Sequence, residues 1–237
     1  MNKRKAYVSL LSVITLTTGI IFVGLLQAKE EITLVSLNES GIIKLPSPRH
    51  DSDVSVEEAL LKRRSVRAYR DISLTLAEVS QILWAAQGIT DASGLRTAPS
   101  AGAIYPLELY VVAGNVNNLP VGIYKYRPHN HELLKVENED RRAALCSAAI
   151  NQLPIRNAAV VIVLSADYER TTMKYGERGK RYVHMEAGHA AQNVCLQAVP
   201  LNLGTVVIGA FNDSEVRKVI KMKEKEQPLY VIPVGGR

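Results

Sequence analysis

A cluster of cations lies in the first third of the chain. Five Lys and Arg residues and one hydroxyl fall within nine positions: Lys62, Arg63, Arg64, Ser65, Arg67 and Arg70. A guanidinium group can donate two hydrogen bonds to one phosphate, and a serine hydroxyl adds a further donor. The cluster therefore predicts a phosphate-binding site. The alternative is a cationic helix C-terminus, favoured by the helix dipole, that faces solvent.

A second segment, residues 97–106, combines small side chains with two prolines. Pro99 and Pro106 restrict the backbone near its ends, and Gly102 allows the chain to approach a flat ligand closely. The segment leads directly into a predicted strand. We interpret it as a ligand-binding loop, with an ordinary helix-to-strand connection as the alternative.

A third segment places polar residues on one side of a long predicted helix. Four of them recur at positions i, i+4, i+7 and i+11: Tyr182, Glu186, His189 and Asn193. This stripe predicts either a functional surface or a hydrogen-bond network at a helix interface. No metal site is predicted, because His184 and His189 are five residues apart and the HExxH spacing is absent.

The composition disfavours several classes of protein. Cys146 and Cys195 form no CxxC pair, so neither a zinc site nor a disulfide framework is predicted, and Cys195 is interpreted as core packing. The net charge is +6, but Lys3, Arg4 and Lys5 account for half of it, so no nucleic-acid partner is predicted. The motifs GxSxG, GxGxxG and Walker A are absent.

The N-terminus is predicted to be a signal peptide or a membrane anchor. Three cations precede residues 6–26, a stretch of 21 residues without charge that is long enough, as a helix, to span a bilayer. Cleavage near residues 26–28, an uncleaved anchor and a buried core helix are the alternatives. The preceding cations place the N-terminus inside, so the rest of the chain is predicted to be exported or anchored outside the cytoplasm, with a cytoplasmic location as the alternative.

The remaining chain is divided into a linker at 29–52 and a folded domain at 53–237, after the signal or anchor at 1–28. Two helices are predicted to begin at capping boxes, at 55–58 and 75–78. The other predicted elements are strands at 107–113, 122–127, 132–136, 158–165, 205–208 and 229–234, and helices at 140–150, 180–199 and 213–221. This mixed order with a hairpin favours an α+β fold over a doubly wound sheet.

Taken together, the three segments resemble the nitroreductase superfamily. The resemblance is carried by residues 63–67, residues 99–106, the run EAGHAAQN at 186–193 and the turn Gly209-Ala210-Phe211. This combination is similar to the SagB/ThcOx-type branch, the azoline dehydrogenases of thiazole and oxazole peptide biosynthesis. The resemblance implies a central, mainly antiparallel sheet flanked by helices, a homodimer, and FMN held in two sites at the subunit interface.

The resemblance also assigns roles to individual residues. The matches to contacts with the FMN phosphate and ribityl chain are Arg63, Ser65 and Arg67. The matches to the segment that a partner subunit places against the isoalloxazine are Pro99, Ser100 and Gly102. Gly209 and Ala210 match the turn whose backbone N–H faces the flavin N5–O4 edge, and Arg237 matches a basic C-terminal residue near the phosphate. Arg64 and Ala101 lie in the same segments and complete the candidate set.

The catalytic assignment follows from the same resemblance. In the azoline-oxidising members, a Lys-Tyr pair just ahead of the long helix assists proton removal. We assign this position to Arg181 and Tyr182. An arginine stays protonated and is a poor general base, so Tyr182 is the candidate catalytic residue and azoline oxidation is not the only reaction to consider.

The sequence therefore predicts an FMN-dependent oxidoreductase that transfers hydride through flavin N5 on a small or peptide-like substrate. It would act as a SagB/ThcOx-type dehydrogenase or as a reductase of nitro, quinone or enone compounds. NAD(P)H is the candidate electron donor, although an exported domain would have little access to it and would pass electrons to oxygen or a quinone. The alternatives are a flavin-binding protein for storage or redox sensing and a membrane-tethered interaction domain.

Overall fold

A computed structural model describes residues 41–237; the predicted signal or anchor and the first part of the linker lie outside the described residues. The helices are α1 (Val56–Lys62), α2 (Leu76–Gln87), α3 (Arg142–Ala148), α4 (Leu153–Asn157), α5 (Tyr168–Tyr175), α6 (Arg178–Ala198) and α7 (Asp213–Ile220). The strands are β1 (Ile42–Lys44), β2 (Leu107–Ala113), β3 (Gly122–Arg127), β4 (Glu132–Glu137), β5 (Val160–Asp167), β6 (Leu203–Thr205) and β7 (Glu226–Gly236).

The strands form one seven-stranded sheet in the order β1-β4-β3-β2-β5-β7-β6. Every neighbouring pair in it is antiparallel, which confirms the predicted mainly antiparallel sheet. Its central strands β2 and β5 are paired along their length, with Leu109 opposite Leu164. Their side chains are almost all buried because helices cover both faces of this part of the sheet, as the continuous apolar runs predict.

The folded domain begins earlier than residue 53. Ile42–Lys44, which the sequence interpretation assigned to the linker, forms β1 and pairs with β4. Ile43 is fully buried and Leu45 nearly so. Farther along, the backbone of Arg49 exchanges two hydrogen bonds with the Gln81 side chain on α2, at 2.8 and 3.0 Å. Ile42–Lys44 is therefore an edge strand of the sheet, and residues 41–52 belong to the domain.

The two predicted capping boxes differ in the structure. At the start of α2 the box is complete: Thr75 accepts from the Glu78 backbone N–H, and the Glu78 carboxylate accepts from the Thr75 N–H at 2.6 Å. At the start of α1, Ser55 accepts from the Glu58 N–H, but the Glu58 carboxylate pairs with Lys62. The second half of the α1 box is missing because Lys62, one turn later, offers a charged partner.

Three further elements differ from the prediction. The helix expected at 140–150 ends at Ala148, because Ile150 and Asn151 adopt left-handed φ angles of 57° and 56° before α4 begins. Helix α5 was not predicted, because it buries only Thr171 and so has no apolar periodicity. The strand expected at 205–208 is β6, which ends at Thr205.

Helix α6 packs along α2 and the sheet, and it contains the third segment singled out by its sequence. Its buried side includes Val183, Ala187 and Val194. The predicted polar stripe does not form one environment: Glu186 is 3% exposed, whereas His189 is exposed. Within residues 41–237, none of the helices combines the length and the apolar character that a membrane crossing requires.

Candidate functional site

The cationic segment 63–70 lies along the edge of the sheet formed by β6 and β7. Ser65 bridges in parallel to Thr205, and the Val66 N–H donates to the Thr205 carbonyl at 2.9 Å. Farther along, the Arg70 N–H donates to the Gly236 carbonyl at 3.0 Å. Arg237 follows directly, so the predicted phosphate-binding residues from the two ends of the domain share one sheet edge.

Two strand glycines allow this segment to lie so close to the sheet. A Cβ atom on Gly204 would lie 2.7 Å from Cγ1 of Val66, and one on Gly235 would lie 2.6 Å from Cγ of Tyr69. Side chains at these positions would push the segment away from β6 and β7. The Tyr69 hydroxyl also donates to the Val66 carbonyl at 3.0 Å, which fixes the turn between them.

Most of the arginines on this edge have neither a carboxylate partner nor a side-chain hydrogen bond in the part of the chain that the structure describes. This holds for Arg63, Arg67, Arg70 and Arg237. Arg64 differs, because its Nη1 donates to the carbonyls of Leu61 and Arg63 at the end of α1. Beside them, the buried hydroxyl of Thr205 has no hydrogen-bond partner among residues 41–237. This set of donors without acceptors fits a dianionic phosphate.

The second predicted segment forms a tight loop at 99–105. Gly102 has a φ of 63°, in the left-handed region of backbone conformation. Ala103 and Tyr105 also have left-handed φ angles, both 53°, although residues with a side chain rarely adopt them. The loop is held internally, because the Tyr105 N–H donates to the Ser100 hydroxyl oxygen at 2.9 Å. Non-glycine residues in this region cost free energy and are concentrated at functional sites, which agrees with a ligand-binding loop.

The end of α5 lies directly against this loop. A Cβ atom on Gly102 would lie 2.7 Å from both Nζ of Lys174 and the hydroxyl of Tyr175. The Lys174 ammonium lies 5.4 Å from the centre of the Tyr175 ring, and that ring meets the Tyr182 ring edge-on at 5.2 Å. Lys174 and Tyr175 therefore form a Lys-Tyr pair immediately before α6, beside the loop.

The structure does not place Arg181 and Tyr182 just ahead of the long helix. Arg181 and Tyr182 lie inside α6, because that helix begins at Arg178. Lys174 and Tyr175 are the residues just ahead of it, and Tyr182 supports the Tyr175 ring. The sequence contains the dipeptide Lys174-Tyr175 just before Gly176. It was not selected because the long helix was predicted to begin at 180, five residues after the dipeptide, whereas it begins at Arg178.

Behind the loop lies a buried carboxyl group. Glu186 on α6 is 3% exposed, and its Oε1 atom has no hydrogen-bond partner among the described residues. Burial raises the pKa of Glu186 to about 7, although the Ser100 hydroxyl and the Arg96 guanidinium oppose the rise. Arg96 itself donates to Gln87 at 2.8 Å and stacks on the Tyr105 ring at 4.5 Å. The 99–105 loop therefore rests on a polar layer made by Glu186 of α6, by Arg96 in the connection after α2, and by Gln87 at the end of α2.

The predicted turn at Gly209 and Ala210 is exposed, and backbone and side-chain hydrogen bonds fix the residues on and around it. Ile208 bridges to Val231 on β7, which fixes the residue before the turn. The Gln152 amide donates to the Ala210 carbonyl at 2.8 Å, and the Asn212 N–H donates to the Ala148 carbonyl at 2.9 Å. Gln152 was not singled out in the sequence, since it reaches the turn only through the tertiary structure.

The structure brings the predicted site residues together in three places. The arginines and Ser65 share the sheet edge with Arg237, the loop residues meet Lys174 and Tyr175, and the 209–210 turn lies against the α3–α4 corner. No hydrogen bond or ion pair between residues 63–70 and residues 99–102 is found within residues 41–237.

Comparison with known proteins identifies the class to which this fold and site belong. The model of the nitroreductase family matches residues 60–236, so the chain belongs to the nitroreductase family. The resemblance stated from the sequence and the expectation of an oxidoreductase are thereby confirmed.

Individual relatives sharpen this result. The chain is 50% identical over 185 residues to a protein of Methanocaldococcus jannaschii that carries a nitroreductase assignment, covering 78% of this chain and 92% of that one. It is 27% identical to the microcin B17-processing protein McbC of Escherichia coli, covering 69% of this chain and 62% of that one. A crystal structure of a nitroreductase-assigned protein from Ralstonia eutropha superposes with a TM-score of 0.72 at 25% identity, covering 88% and 95% of the two chains.

Proposed function

We propose that this protein is an FMN-dependent dehydrogenase that oxidises a peptide-like substrate of the azoline type. The observation that carries the proposal is the Lys174–Tyr175 pair, which lies just ahead of α6 and against Gly102. A pair at this position assists proton removal in the azoline-oxidising branch that the sequence resembles. The relationship to a microcin-processing protein supports a peptide as substrate.

Different residues of the chain have different roles in this reaction. Arg63, Arg67 and Arg237 bind the FMN phosphate with charge-assisted hydrogen bonds, and Ser65 adds a hydroxyl. When bound, FMN supplies a two-electron acceptor at N5. The 209–210 turn, held by Gln152, directs a backbone N–H toward that edge of the ring.

Lys174 and Tyr175 would take the proton from one of the two ring carbons that become double-bonded, while the other carbon would give its hydride to the two-electron acceptor. The pair is held at the edge of the loop, where a flat ring placed against residues 99–102 would meet the substrate. Tyr182 restricts the Tyr175 ring by edge-on packing at 5.2 Å. A fixed base is effective because the reacting groups are already oriented before the proton moves.

A second candidate is an NAD(P)H-dependent reductase of nitro, quinone or enone compounds. The relative with 50% identity favours it, because that protein carries a nitroreductase assignment and is similar over nearly its whole length. The two candidates use the same FMN site and differ in the direction of hydride transfer. A flavin-binding protein without turnover is the remaining alternative.

We also propose that two copies of the chain form the complete site. No hydrogen bond or ion pair joins the arginines to the 99–102 loop within the described residues, and the resembled family supplies the loop from a partner. Helix α1 exposes three apolar side chains that a second copy would cover: Val56, Leu60 and Leu61. A cavity of about 450 Å³, lined by Val56, Trp84 and Asn193 among others, lies beside this helix.

The uncharged segment 6–26 supports a domain held outside the cytoplasm. At such a location nicotinamide cofactors are scarce, which favours the dehydrogenase over the reductase. Protease added to intact cells should digest the domain. Protection of the domain until the cells are lysed would contradict this location.

The purified full chain tests the proposed reaction directly. We expect a yellow protein that oxidises a thiazoline-containing model peptide to the thiazole, whereas the double variant Arg63→Ala, Arg67→Ala should lose most of its flavin. Arg156→Ala on α4 is the matched control, because Arg156 is exposed and lies outside the cationic edge. A colourless wild-type protein that takes up no FMN contradicts the proposal. Rapid anaerobic reduction by NADPH with no oxidation of the peptide favours the reductase.

A further inference from the structure

The helix that carries Lys174 and Tyr175 has almost no hydrophobic anchor. Helix α5 is eight residues long and buries only Thr171. Met173, its most apolar residue, is 84% exposed. A helix this short is not stable by itself, so its position depends on contacts with the rest of the domain, which include edge-on packing of Tyr168 on His184 and of Tyr175 on Tyr182 as well as polar contacts.

Arg170 makes such contacts with several segments at once. Its guanidinium pairs with the carboxylate of Glu108 on β2. Nη1 donates to the carbonyl of Tyr105 at 3.4 Å, at the end of the 99–105 loop. Nε lies 3.6 Å from the carboxylate of Asp167, the N-cap residue of α5. One side chain therefore joins α5 to the sheet and to the functional loop.

The partner of Arg170 is fixed in the sheet. Glu108 also pairs with Lys125 on β3 at 3.1 Å, and Lys125 pairs with the buried Glu226 on β7 at 2.7 Å. The Tyr110 hydroxyl donates to Glu226 at 2.6 Å and extends the network across three strands. Burial alone would raise the pKa of Glu108, but Lys125 and Arg170 lower it below its ordinary value. Glu108 is therefore ionised at neutral pH, and its ion pairs hold its carboxylate in place.

Arg170 and the Lys-Tyr pair also lie on the same side of α5. Arg170 and Lys174 are four residues apart, which places their side chains on one face of the helix. Arg170 contacts the loop at Tyr105, and Lys174 contacts it at Gly102. The two contacts fix both the distance and the rotation of α5 relative to the loop.

We propose that Arg170 is a positioning residue that holds α5 against the 99–105 loop and thereby keeps Lys174 and Tyr175 in place for proton removal. The inference rests on the proposed function for the role of that pair. A guanidinium is required because a lysine ammonium at this position reaches fewer of the three partners at once.

The test compares full-chain Arg170→Gln and Arg170→Lys with Lys225→Gln. Lys225 pairs with Glu169 on the same helix but touches neither the loop nor β2, so it is a matched control. Amide hydrogen exchange is measured in residues 99–105 and 168–175. Two reactions are followed in parallel: oxidation of a thiazoline-containing peptide, and reduction of menadione by the chemically reduced flavin, which needs no proton abstraction by the Lys-Tyr pair.

For Arg170→Gln we expect exchange about tenfold faster in both segments, because the contacts that hold them are lost. Peptide oxidation should fall about 10- to 100-fold in kcat, the cost of misplacing a catalytic group by about 1 Å. Menadione reduction and flavin content should fall much less than peptide oxidation. Added guanidinium ion, at non-denaturing concentration, should restore part of the peptide oxidation, and Arg170→Lys should restore little.

Other results would overturn the inference. Unchanged exchange in both segments would show that Arg170 does not hold α5. An equal loss in both reactions, or full activity of Arg170→Lys, would show that the side chain acts only on general stability or only as a charge. If the wild-type protein itself binds no FMN or oxidises no azoline, the proposed function fails. The exchange measurement, which needs no flavin, still decides whether Arg170 holds the helix.

Discussion

At the scale of single residues, Glu186 has the environment that departs most from that of an ordinary side chain. Its carboxyl group is buried behind the 99–105 loop, and Arg96 supplies the positive charge that acts on it. Burial of a carboxyl group favours its neutral form and raises its pKa. The loop thus rests on a group that changes its charge near neutral pH.

This environment predicts a pH dependence of stability. The pKa of Glu186 is about 7 in the folded protein against an ordinary value of 4.5, so unfolding releases a proton between these values. The contribution of Glu186 is therefore fully present below pH 4.5 and is lost as the pH rises to about 7. At pH 8 we expect the free energy of unfolding of Glu186→Gln to exceed that of the wild type by about 1–3 kcal/mol, so the variant is more stable.

Urea denaturation at pH 5 and pH 8 checks this expectation. Glu177→Gln is the control, because Glu177 is 85% exposed and pairs only with Lys180 among the described residues. If the difference in free energy of unfolding between Glu186→Gln and wild type is the same at pH 5 and at pH 8, the buried carboxyl group does not titrate in this range.

At the scale of secondary structure, the elements differ in how they are held. Helix α2 has a complete capping box and buries nine of its twelve residues, so it belongs to the core. Helix α1 has half a box and buries only Ala59. A lost cap on α2 therefore acts on the whole domain, whereas a lost cap on α1 acts on a peripheral turn.

The matched substitutions Thr75→Ala and Ser55→Ala test this difference. We expect Thr75→Ala to lower the free energy of unfolding by about 1 kcal/mol, the usual cost of an N-cap. Ser55→Ala should lower it by less than half as much, because α1 can fray without exposing the core. Thermal or urea unfolding measures both. Equal losses would mean that α1 and α2 unfold as one unit.

At the scale of the whole molecule, the complete site requires two copies of the chain under the proposed arrangement. Leu61 on α1 is 73% exposed, and burying side chains of this kind drives subunit association. We expect Leu61→Glu to shift the protein from dimer to monomer in analytical ultracentrifugation and to lose FMN together with the partner. Glu57→Gln, a polar change on the same short helix, is the control. A Leu61→Glu variant that stays dimeric would place the interface elsewhere.

The sequence by itself determined the chemistry of the parts. Arginine spacing, the small loop residues and the 186–193 run identified the family, because they are local patterns that can be recognised without the fold. The apolar runs of β2 and β5 and the cap at Thr75 were also predicted, since they depend on residues near one another in the chain. Only the tertiary structure placed β1 in the sheet and put Lys174 and Tyr175 beside Gly102. It also revealed α5, which has no apolar period because it buries only Thr171 and is held by ion pairs and by edge-on contacts of Tyr168 and Tyr175. Such contacts join residues far apart in sequence, and only folding brings them into reach.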